Sequence, residues 1–138
     1  MQEMTEDERL VDALGESAFR TMGALTGIAA DAGLSLTQLR VLAILRDRRM
    51  RIGDLAQHLG LEKSTMTGLV ARASAKGLLR RVPNAEDARA VDVVITDAGL
   101  DVARSLEAAI RESLLPLTTR LSVGERGELR VLLERMLR

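Results

Sequence analysis

The chain predicts a mainly α fold with one short β-hairpin, on three observations. Its 138 residues are 46% apolar yet include one Phe and no Trp or Tyr. Aliphatic side chains suit the seams between packed helices, whereas strands draw on the aromatic and β-branched residues that are sparse here. Apolar positions recur mostly at intervals of three and four, the helical period. Only residues 78–82 and 91–95 read as paired strands, with the polar loop that opens at Pro83-Asn84 between them.

The elements follow in order. Thr5-Glu6-Asp7-Glu8 fits a capping box, in which a hydroxyl and a carboxylate satisfy the free N–H groups of a helix start. Val11, Leu14, Ala18, Met22, Leu25 and Ala29 carry that helix to about residue 30, and Asp31-Ala32-Gly33 ends it. Ser35-Leu36-Thr37-Gln38 is a second capping box, opening a helix with Leu39, Leu42 and Ile44–Leu45 on its inner face. That helix runs out in Arg46-Asp47-Arg48-Arg49. A short segment, Met50–Ile52, leads to a compact helix over 53–59. Gly60 interrupts, and the next helix runs over 62–76 until Gly77 stops it. After the hairpin, Thr96 caps a long helix with a seam of Ala103, Leu106, Ile110, Leu114 and Leu117, and with Pro116 near its end. Ser122-Val123-Gly124-Glu125 is a third capping box, before a helix carrying Leu129, Leu132, Leu133 and Met136. There is no internal repeat or linker, so residues 1–138 read as one domain.

The order helix, short strand, helix, tight turn, helix, hairpin is that of a winged helix-turn-helix. Ala56 lies four residues before Gly60, and two helices crossing steeply need a small side chain where their axes meet. Gly60 supplies a turn conformation with positive φ. Met66 and Leu69 face the second helix back onto the first. That second helix offers Lys63, Ser64, Thr65, Thr67 and Arg72 as polar positions. Short hydroxyls near a helix N-terminus reach base edges or phosphates without bulk; on a wet surface they are equally ordinary. Gly68 costs about 1 kcal/mol against Ala inside the helix. Close approach of DNA or of a neighbouring helix accounts for it, and so does simple tolerance.

Charge distribution shifts the balance. The net charge is zero, but residues 1–39 sum to −5, 40–90 to +6 and 91–138 to −1. A cationic centre between acidic or neutral flanks is the footprint of a nucleic-acid reading head on a scaffold. Arg80 and Arg81 on the first hairpin strand, with Arg89 on the loop, are placed to clamp a sugar-phosphate backbone beside the groove.

These residues resemble the MarR (multiple antibiotic resistance regulator) family of transcription factors over nearly the whole chain. The resemblance rests on SLTQLRVLAIL, on IGDLAQHLGLEKSTMTGLVARASAKGLLRR and on DARAVDVVIT, where Asp87, Arg89, Ile95 and Thr96 keep the family's spacing. LSVGERGELRVLLERML is similar to the family's closing dimerisation helix. The resemblance implies a homodimer built by terminal helices within 5–31 and 97–138, carrying DNA-binding heads over 35–96 onto a pseudo-palindromic operator. It implies that Ser64, Thr65 and Thr67 read the major groove while Arg89 enters the minor groove, and that Asp87 orients Arg72 or Arg89. Lys63, Arg72 and Arg81 complete the expected DNA-binding set. It further implies repression, relieved when a small aromatic or anionic effector binds between the dimerisation helices and the head; no residue is assigned to that ligand. Gly68 stands where many members carry a larger polar or basic residue. Ala73-Ser74 replaces a Leu-acidic pair.

Other chemistries find little purchase. His58 is the only histidine and Cys is absent, which removes disulfides, thiol redox sensing and zinc- or copper-type ligand sets, so no metal or cofactor is expected. No Ser/His/Asp arrangement or phosphate-cradling glycine loop presents itself, and an enzyme is not expected. No apolar run approaches the roughly 18 residues of a membrane span. The opening MQEMTEDERL is acidic, unlike a signal peptide, so a cytoplasmic protein is expected. The second functional reading is a winged-helix module whose basic head binds an acidic protein partner without DNA.

Overall fold

A computed structural model describes residues 2–138. The elements are α1 (Glu6–Asp31), α2 (Leu36–Leu45), β1 (Met50–Arg51), α3 (Ile52–Leu59), α4 (Lys63–Ala75), β2 (Leu79–Pro83), β3 (Val91–Ile95), α5 (Asp97–Thr118) and α6 (Val123–Met136). All three capping boxes form, at Thr5, Ser35 and Ser122. Each satisfies two of the orphan N–H groups that a helix start exposes, and so fixes where the helix begins.

The core gathers where α2, α3, α4 and the sheet meet. Val41, Leu42, Leu45, Leu55, Met66, Val70 and Val93 are fully buried there. Ala29 of α1 and Ala103 and Leu106 of α5 close the core from the scaffold side. Each large aliphatic side chain withdrawn from water stabilises the fold by about 1.5–3 kcal/mol. Val41 was not among the apolar positions expected to face inward, and Ile44, which was, is half-buried. The cause is that α2 packs against α1 on one side and against α5 and β3 on others, so its buried stripe is wide.

The sheet is antiparallel in the order β1-β3-β2. Several boundaries differ from expectation, α4 among them, which spans Lys63–Ala75 where 62–76 was expected. Met50–Arg51 pairs with Val93 and Asp92, so what read as a connector is a strand, and α3 begins one residue earlier than expected. β2 runs one residue later, ending on Pro83 opposite Val91. An edge strand tolerates proline, since the missing N–H can face outward.

α5 is tied to the head at its first turn. Thr96 Oγ1 donates to the Gly77 carbonyl at 2.5 Å and accepts from the Gly99 N–H at 3.0 Å. Further along α5, Arg46 at the end of α2 pairs with Glu107, which Arg111 also approaches at 3.2 Å. Hydrogen bonding from Arg46 holds the Glu107 carboxyl below its ordinary range.

The termini are different. α6 buries no residue, and Leu129, Val131, Leu132, Leu133 and Met136 are exposed on it. Leu10, Val11, Leu14, Phe19 and Met22 are exposed on α1. No single helix among the described residues is long and apolar enough to cross a membrane.

Candidate nucleic-acid interface

The turn between α3 and α4 is built as its residue types require. Ala56 is 3% exposed, and the Leu61 N–H returns to its carbonyl at 2.9 Å. Gly60 sits at φ 66°, a left-handed conformation that costs a side chain-bearing residue but not glycine. Met66, Leu69, Val70 and Ala73 anchor α4 in the core. The opposite face, with Lys63, Ser64, Thr65, Thr67 and Arg72, is exposed.

Within that face the structure draws a division. Lys63 and Thr67 look toward the hairpin and, with Arg51, Asp54, Arg81 and Arg89, line a cleft of about 430 Å³ between α4 and the wing. Strand alternation puts Arg81 on the α4 side of β2 and Arg80 on the other, so only Arg81 joins the cleft. Four cations against one carboxylate make this cleft strongly cationic. Ser64, Thr65 and Arg72 lie outside the cleft lining. No neighbouring helix approaches Gly68: a Cβ there would meet only the Arg72 guanidinium, at 3.4 Å. Gly68 therefore leaves the surface over which Arg72 lies.

Arg89 lies in the wing loop, two residues before β3, with its side chain 95% exposed. Asp87 engages Arg89 rather than Arg72, accepting its backbone N–H at 3.0 Å with Nε 3.6 Å away. A carboxylate two residues back in this way fixes the loop's local turn.

Sequence reasoning missed the support beneath the wing. Asp92, read as one position in a strand, has its side chain only 7% exposed. Its carboxylate accepts from Asn84 Nδ2 at 2.9 Å and from Arg49 Nε at 2.9 Å. The Asn84 amide, then Arg49, then the charge of Arg51 lower the Asp92 pKa against a desolvation that raises it. Asn84 Oδ1 in turn accepts the backbone N–H groups of Glu86 and Asp87, both at 3.0 Å. The available signal was an Asp inside an otherwise apolar strand, which must find partners when buried.

Among the described residues no cluster of three His, Cys, Asp or Glu could hold a metal. The one buried side-chain polar atom without a partner among them is Ser74 Oγ on α4.

Comparison with known proteins gives three kinds of likeness. Residues 32–90 match the model of the MarR family. An uncharacterized HTH-type transcriptional regulator, YfiV of Bacillus subtilis (strain 168), is 31% identical over 74 residues, which are 53% of this chain and 46% of that protein. The chain thus spans about half the length of the curated relatives it matches. A mutant MarR from E.coli complexed with operator DNA superposes with a TM-score of 0.77 at 21% identity, covering 100% of both chains. BpsR of Bordetella bronchiseptica, whose DNA binding is regulated by 6-hydroxynicotinic acid, superposes with a TM-score of 0.77 at 22% identity, over 98% of this chain and 97% of that one. At these identities the structural likeness is one of fold.

Proposed function

We propose that the chain, whose residues 32–90 match the model of the MarR family and whose fold is that of the E.coli MarR structure, is a sequence-specific, DNA-binding transcription regulator acting as a homodimer in the cytoplasm. The observation that carries this reading is the cleft where Arg51, Lys63, Arg81 and Arg89 face one another beside the exposed hydroxyls of α4. A helix held by its buried side lies in the major groove, with Ser64, Thr65 and Thr67 toward base edges and its N-terminal N–H groups toward phosphate. Lys63, Arg72 and Arg81 neutralise the backbone. Arg89 reaches the adjacent minor groove, where a narrow A·T-rich stretch attracts a guanidinium without a base code.

Residues 35–96 form the reading head, and helices within 5–31 and 97–138 pair two copies. The apolar residues left exposed on α1 and α6 motivate the pairing. A two-fold dimer reads two half-sites about 34 Å apart, one turn of DNA. The regulated Bordetella protein supports a small-molecule effector for this chain too, bound between scaffold and head. The cleft between α2 and α5, lined by Leu42, Arg46, Ala103 and Glu107, has only about 70 Å³. Ligand pockets run to roughly 300 Å³ and more, so an effector entering there would spread α5 from α2 and shift the head spacing that fits DNA.

The test is to recover and sequence the genomic fragments the purified chain retains, then titrate variants on the recovered duplex. Arg89→Ala weakens binding about tenfold, while Glu112→Ala on the exposed face of α5 leaves it within about twofold. Equal losses in both variants, or none in either, would remove the wing from the interface.

A further inference from the structure

The wing loop between β2 and β3 carries Arg89, and a loop of this kind is free to swing unless something ties it down. Here a chain of hydrogen bonds runs from the body of the head to that arginine. Arg49, in the turn between α2 and β1, holds Asp92 of the central strand. Asp92 holds the Asn84 amide, and the Asn84 carbonyl oxygen holds the N–H groups of Glu86 and Asp87. Asp87 then takes the N–H of Arg89. The Asn84 N–H meets the Ala90 carbonyl across the base of the loop at 3.1 Å. Apart from that backbone bond, every link in the chain uses a side chain.

The fold alone does not call for a carboxylate at position 92. A buried charge must be fully partnered to be tolerated, and an apolar residue in its place is often neutral or stabilising. What the charge adds is direction, because a carboxylate with one donor on each oxygen fixes both partners in orientation. One donor belongs to the body and the other to the wing.

Resting on the DNA-binding reading above, we propose that Asp92 and Asn84 are positioning residues that set the pose of the wing, so that Arg89 meets the minor groove in register with the bases read by α4. Neither residue touches DNA. Both act through Arg89, and their removal costs affinity only while Arg89 is present. The low pKa of Asp92 keeps its carboxylate charged across the range in which DNA binding is measured.

The experiment uses the full chain and a duplex that the wild-type chain has selected from a random library. Wild type, Arg89→Ala, Asp92→Asn, Asn84→Ala and the double variant Asp92→Asn/Arg89→Ala are compared for affinity and for hydroxyl-radical footprint. Asp92→Asn and Asn84→Ala weaken binding about tenfold, as loss of a well-placed arginine contact does. Their hydroxyl-radical footprints lose the minor-groove protection that Arg89→Ala also loses, while protection of guanine N7 from dimethyl sulfate in the major groove is kept. The double variant binds no more weakly than Arg89→Ala alone, the non-additivity of residues acting through one contact. A fully additive double variant, or wild-type affinity and footprint in Asp92→Asn, overturns the positioning role while leaving the DNA-binding reading standing. A wild-type chain that selects no duplex overturns both. Should Asp92→Asn fail to fold, Asn84→Ala and Arg49→Gln break the same chain at half-exposed or exposed partners and decide the matter by the same criteria.

Discussion

Gly99 shows how a single atom can outweigh a propensity. It lies in the first turn of α5, where Ala would improve helix propensity by about 1 kcal/mol. A Cβ at this position would fall 2.1 Å from the Leu78 carbonyl oxygen and 2.8 Å from Ile95 Cγ1. The overlap is with backbone that also accepts the Thr96 N–H at 3.1 Å, so it cannot simply turn aside. Overpacking of this kind costs about 2 kcal/mol net. Gly99→Ala therefore lowers the urea midpoint, and a midpoint equal to or above wild type would refute the close contact. Nothing in the sequence marked this glycine, because its partner lies 21 positions away and the local pattern was an ordinary helix start. Gly60 was legible for the opposite reason: its requirement is a φ value, which is local.

At the scale of elements, what could be read was what is settled within a few residues. Ser35 and Gln38 bind each other's backbone N–H across three positions, and their types alone gave the start of α2. The ion pair of Arg46 with Glu107 spans 61 positions and left no such trace. It has a consequence for pH. Glu107 is ordinarily half-protonated at pH 4.5, and Arg46, by its hydrogen bond first and its charge after, lowers that value in the folded chain. A group with a lowered folded pKa contributes stability above its unfolded pKa and loses it as pH falls through the folded value. The gap in urea midpoint between wild type and Glu107→Gln is thus full at pH 7 and narrows as pH drops below about 4.5. A gap that stays constant down to pH 3 would show that the carboxylate's charge contributes nothing to the contact between α2 and α5.

The whole molecule has a buried head and unburied ends. Helix α6 presents Leu129, Leu132, Leu133 and Met136 at helical spacing with no residue buried, and a helix left wet on its apolar face is not stable alone. A second copy is the proposed cover. Leu132→Glu with Leu133→Glu converts the dimer expected by analytical ultracentrifugation at micromolar concentration into a monomer; a wild-type chain already monomeric there would remove the pairing. Periodicity disclosed these seams, and the family resemblance implied that a second copy covers them; spacing by itself reports that a face is apolar and not what meets it. The cationic centre was likewise legible as a sum, whereas its concentration between α4 and the wing needed the strand alternation that separates Arg81 from Arg80. The most direct measurement is the affinity of the wild-type chain for its recovered duplex as salt is raised. Contact of several phosphates by each head predicts that log K falls linearly with log salt, with a slope near −0.9 for every phosphate neutralised, and that the recovered duplex outcompetes a random one of equal length. A salt-independent affinity, or equal binding to both duplexes, would contradict the reading of this chain as a sequence-specific regulator.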